Sequence, residues 1–106
     1  MVIAPTETED CEYVLKFKSK LNSQMKQSIR EAIQASSHFH RAYESDGNTW
    51  YELVSPHTSI LIEEDYLYIS RKVRTVPLWQ HLEKLQLLIE DKLEFMSVGS
   101  FYSYTP

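Results

Sequence analysis

Between His38 and Ser70 apolar or aromatic residues recur at every second position, and Asp46-Gly47 falls in the first gap. A period of two sends successive side chains to opposite faces of an extended chain. Glycine after aspartate accepts the positive φ that tight hairpin turns require. The segment therefore predicts consecutive antiparallel strands, 38–45 joined to 49–55. A second hairpin, 59–63 to 66–72, turns at Glu64-Asp65; neither residue is glycine or asparagine, and the alternative is one long bent strand. Pro56 and His57 separate the two hairpins.

The flanks add one strand and two helices. Over 12–18, Tyr13, Leu15 and Phe17 share one face, with Glu12, Lys16 and Lys18 opposite. That is a half-buried first strand, and its lysine-lined face suits the edge of a sheet. Over 21–36 the period changes. Leu21, Met25, Ile29 and Ala32/Ile33 form the stripe of an amphipathic helix, with Asn22 or Ser23 able to cap its start. After Thr75-Val76-Pro77, the residues Leu78, Leu82, Leu85, Ile89, Leu93 and Met96 keep helical spacing. Trp79, Leu88 and Phe95 widen that stripe, and Gly99 would stop it. The expected fold is a single α+β domain at 11–98. It has an antiparallel meander sheet of about four to five strands, in the order β-α-β-β-β-β-α, packed with two helices. Residues 1–10 read as a disordered acidic tail, and 99–106 as an aromatic tail or short strand.

The order of elements resembles the cystatin-like layout, a curved sheet gripping one helix. The helix, strands and helix portion resembles a double-stranded-RNA-binding domain. The Gln-Val-x-Val-Gly inhibitory pattern of the first family is absent. So is a lysine pair near Pro77–Gln80 for the second. Neither resemblance carries a function over.

Charge and composition narrow the function. The chain has 106 residues and a net charge of −4. Residues 31–70 hold seven acids against Arg41 alone, between basic segments at Lys16–Arg30 and Arg71–Arg74. A body with balanced charge is a poor non-specific binder of nucleic acid, whose affinity comes from phosphate neutralisation. Nucleic-acid binding would require those two basic segments to merge into one stripe. Cys11 is the single cysteine, so no internal disulfide forms. With neither a leader pattern nor an apolar run long enough for a membrane span, a cytoplasmic location is expected. No Gly-x-Ser-x-Gly elbow, phosphate loop or cofactor motif is present.

Four groups remain as candidates. Trp50, Tyr66 and Tyr68 should share a sheet face opposite Tyr51, Leu53, Leu67 and Ile69. With Trp79, Phe101 and Tyr102 they form a candidate protein interface. Arg71, Lys72 and Arg74 precede a helix start and could hold an anion. His38 and His40, two apart on a strand, are weak metal candidates. Glu63, Glu64 and Asp65, with Glu52 across the sheet, read as a solvated polar turn. The expected function is a non-catalytic protein-interaction or regulatory module, binding a partner or itself as a homodimer, with no cofactor. The alternative is a small-ligand-binding or enzymatic domain with a pocket between sheet and helices.

Overall fold

The computed structural model describes residues 11–54, 57–72 and 77–100, the last three of these as backbone only. The order is β1 (Cys11–Phe17), α1 (Ser23–Gln34), β2 (Phe39–Ser45), β3 (Asn48–Leu53), β4 (Thr58–Ile62), β5 (Tyr66–Arg71), α2 (Leu78–His81), α3 (Glu83–Ile89) and β6 (Leu93–Ser100). A 3-10 turn at Glu90–Lys92 leads into β6. All pairings are antiparallel, in the spatial order β2-β3-β4-β5-β1-β6. The α+β class holds, with six strands rather than four to five.

Local chemistry explains the elements that the sequence predicts. Asp46 and Gly47 both have positive φ, 54° and 78°. That is the backbone of a two-residue type I′ hairpin, whose twist matches the flanking strands. The second hairpin closes across Glu64-Asp65, with Glu63 N–H donating to Tyr66 C=O at 2.9 Å. Asn22 caps α1, its side-chain oxygen accepting from Met25 N–H at 2.7 Å. Ile29 and Ile33 on the α1 stripe are fully buried.

Two expectations fail, and they fail together. The long second helix does not form: α3 ends at Ile89, and residues 93–100 are a strand. Lysine-lined β1 is not an edge strand, because it lies between β5 and β6. Leu93, Phe95 and Met96 fit a helical stripe locally. As a strand, however, they complete the hydrogen-bond ladder along the other side of β1. Tertiary pairing overrides the helical spacing. Gly99 does not end a helix: Gly99 and Ser100 continue β6. The expected tail at 1–10 and the aromatic residues 101–106 lie outside the described residues.

One core lies on one side of the sheet. Tyr13, Leu15, Phe17, Tyr51, Leu53, Ile60, Leu67 and Ile69 form a single cluster with Ile29 and Ile33 of α1 and Leu78, Leu85 and Ile89 of the later helices. The helices thus cover the face bearing Tyr51 and Leu53. Among the described residues, no helix is long and apolar enough to cross a membrane.

Candidate binding face

The opposite face carries the aromatic surplus. Strand registers align its side chains into rows. One row runs Tyr43, Trp50, Leu61, Tyr68, Val14 and Ser97 across all six strands. Below it run Arg41, Glu52, Ser59, Ser70 and Glu12, and above it Tyr66, Lys16 and Phe95. Trp50 and Tyr68 meet edge to face, with ring centroids 6.0 Å apart. A shallow depression of about 300 Å³ lies between Tyr43, Trp50, Ser59, Tyr68 and Ser70. No described helix covers these rows. Trp50, Tyr66 and Tyr68 are half-buried.

Polar contacts fix the rims of this face. Glu52 accepts from Arg41 Nε at 2.7 Å and pairs with His57 Nε2 through its other oxygen. Its side chain is only 11% exposed. The Arg41 bond first, and then the His57 bond, hold the Glu52 carboxyl below the usual carboxylate range. Tyr68 Oη donates to Glu12 at 2.6 Å. Lys16 pairs with Asp65 at 2.8 Å, which raises the lysine and lowers the acid. The Tyr68 ring, with its hydroxyl tied to Glu12 and its edge or face against Trp50, loses little conformational freedom when a partner covers it.

The other candidates are dispersed by the fold. Trp79 sits on α2, packed against the core on the far side of the sheet. Phe101 and Tyr102 lie outside the described residues. Arg71 is not an exposed anion contact. It is fully buried on the helix-covered face, its Nε donating to Thr58 Oγ1 at 3.4 Å and its guanidinium 5.9 Å from the Tyr13 ring. Lys72 is exposed, and Arg74 is outside the described residues.

His38 and His40 do not converge. A bulge between Phe39 and Arg41 inserts His40 as an extra, exposed residue and breaks the period of two. His38 lies instead against His81, with ring centroids 4.4 Å apart. Both line a cleft of about 290 Å³, with Ser36 and Leu82, where the end of α1 faces α2 and α3. His81 Nε2 donates to Val54 C=O at 3.3 Å, since a carbonyl can only accept. Its Nδ1 has no partner among the described residues. Burial pushes the His81 pKa down and keeps the ring neutral. Among the described residues no group of three or more His, Cys, Asp or Glu could hold a metal ion.

The acidic run does not meet Glu52. Asp65 pairs with Lys16, and Glu64 with Lys26 of α1 at 3.0 Å. These pairs neutralise part of the basic segment 16–30. Sequence reasoning missed the Arg41–Glu52–His57 group, which depends on the register of β2 against β3 and on His57 sitting just before β4. Comparison of the chain with protein-family models, with characterised proteins and with solved structures finds no match.

Proposed function

We propose that the protein is a small, non-catalytic protein-interaction module that associates with itself, and that its working surface is the sheet face bearing Trp50 and Tyr68. One observation carries this reading: among the described residues the helices cover the six strands on one side only, and the other side presents a continuous row of Tyr43, Trp50, Leu61, Tyr68 and Val14. Interfaces are enriched in aromatic residues and arginine at their centres. Here the row is flanked by Arg41 and by hydroxyls of Ser59 and Ser70. Nucleic acid fits this surface poorly, because Glu12 and Glu52 lie within it and Arg71 is buried on the other side.

Fluorescence and hydrodynamics test the proposal. The chain has two tryptophans, so Trp79→Phe leaves Trp50 as the single reporter. Sedimentation velocity across a concentration series should show a species heavier than the monomer. A monomer at every concentration would refute self-association. For the face itself, Trp50→Ser with Tyr68→Ser should weaken binding of whatever partner is found while leaving the fold intact. A partner bound equally well by that variant, or one that leaves Trp50 of the Trp79→Phe protein as accessible to acrylamide as before, would refute the face.

The ligand-binding reading keeps one supporting observation, the cleft that His38 and His81 share. Saturable perturbation of His38 and His81 imidazole resonances by a small molecule, absent in His38→Ala, would favour it.

A further inference from the structure

We infer that a second copy of this chain adds through β6, strand to strand and antiparallel, so that two six-stranded sheets become one. This rests on the reading that the protein self-associates and names the seam.

The inference begins from the two edges of the sheet, β2 and β6. Among the described residues, each edge strand has one paired side, leaving a row of backbone N–H and C=O groups whose natural complement is another strand. The edges differ in how they are defended. β2 is bulged at His40, and the rest of the strand carries Arg41 and Glu44. β6 is bulged at its start, where Glu94 is the extra residue between Leu93 and Phe95. Beyond that bulge, Phe95 to Ser100 runs in unbroken register against Lys16 to Cys11. Those six residues contain no charge and no proline. Edges that are meant to stay solitary usually carry lysine, proline or an inward charge.

The side chains agree with the backbone. Phe95 and Met96 are 49% and 44% exposed, two of the few large apolar residues so placed. They point to opposite faces: Phe95 extends the row of Lys16 and Tyr66, and Met96 extends that of Leu15. A strand laid along β6 would cover both at once, whereas a partner docked on either face would cover one.

Glu94 sets the direction. In a parallel pair the two Glu94 side chains would stand side by side, which is destabilising. In an antiparallel pair each falls beside the uncharged far end of the other strand. A two-fold axis perpendicular to the sheet gives this pairing, and places the open aromatic faces of both copies on the same side. Joining β6 of one copy to β2 of the next would instead propagate an open fibre. The bulge, Arg41 and Glu44 on β2 oppose that.

Ser97→Glu tests the seam. Ser97 is exposed and lies at the middle of the uncharged stretch, so the new carboxylates of two copies meet near the axis. The expected result is association weakened at least about tenfold by sedimentation equilibrium, with circular dichroism and thermal midpoint close to wild type. Ala42→Lys on the exposed β2 edge should leave the mass unchanged. Outward-facing amides of β6 should also gain hydrogen-exchange protection as wild-type concentration rises. An oligomeric wild type with an equally oligomeric Ser97→Glu variant, or with β6 amides unprotected, overturns the seam and leaves self-association standing. An oligomer broken equally by Ala42→Lys likewise overturns it. A wild type monomeric at all concentrations overturns both.

Discussion

Glu52→Gln isolates the polar group at the rim of the open face. The carboxylate is nearly buried and is engaged at both oxygens, by Arg41 Nε at 2.7 Å and by His57 Nε2. Glutamine keeps the shape and one accepting oxygen but removes the charge. Hydrogen bonds to charged groups contribute about 1.5–3 kcal/mol each. Arg41 and His57 are 59% and 43% exposed, so water replaces much of what they lose. The expected destabilisation is therefore about 1–2 kcal/mol at neutral pH for the substitution as a whole. The charge also fixes how that difference varies with pH. The folded protein holds Glu52 below its ordinary value, so the unfolded chain binds the proton more readily. The stabilisation is complete above the unfolded value of about 4.3 and is lost as pH falls through the lower folded value. Urea unfolding followed by tryptophan emission, for both proteins at neutral pH and in acid, measures it. The gap between wild type and variant should narrow on acidification. A gap below about 0.3 kcal/mol at neutral pH, or one unchanged in acid, would refute the claim that the ionised carboxylate holds Arg41 and His57.

Three further substitutions probe other parts of the chain. Gly47→Ala should cost about 1 kcal/mol: a Cβ there meets nothing within 4 Å, so the penalty is that of φ +78° alone. A neutral or stabilising result in thermal unfolding would contradict the type I′ turn. Ile69→Ala, at a fully buried position, should cost about 3–4 kcal/mol, and Val14→Ala on the open face about 1 kcal/mol or less. Chemical denaturation giving the reverse order would mean the faces are assigned wrongly. His81 is buried and its pKa is lowered, so the unfolded chain takes up a proton first as pH falls below about 6.5. Wild type should lose stability between neutral and mildly acid pH more steeply than His81→Phe. Parallel pH profiles would show that His81 is not the group responsible.

Much of the fold was legible because its signals are local. The positive φ at Asp46-Gly47, the Asn22 cap and the alternation through Trp50–Leu53 and Tyr66–Ile69 each depend on residues a few positions apart. The same alternation correctly placed Trp50, Tyr66 and Tyr68 on one face. The candidate site was legible only in that respect. A single bulge at His40 undid the spacing argument for His38 and His40. Arg71 looked like a connector residue but ends β5 on the inward parity, which carries it into the core. Long-range contacts such as Arg41–Glu52–His57 and His38–His81 leave no trace in local pattern.

By itself the sequence determined an antiparallel α+β domain, its first helix, the Asp46-Gly47 hairpin and the division of the meander into two faces. Those follow from side-chain period and turn chemistry, which act within a few residues. Only the tertiary structure decided that 93–100 is a strand, that β1 is internal, and that the described helices pack on the face opposite the aromatic one. Leu93 and Met96 satisfy a helical period as well as a strand. What distinguishes the two is a ladder of backbone hydrogen bonds to β1, some eighty residues earlier in the chain. Which face the helices cover is likewise set by packing between distant segments, where burial of Ile29, Ile33, Leu85 and Ile89 against Leu15 and Ile69 leaves Trp50 and Tyr68 on the other side.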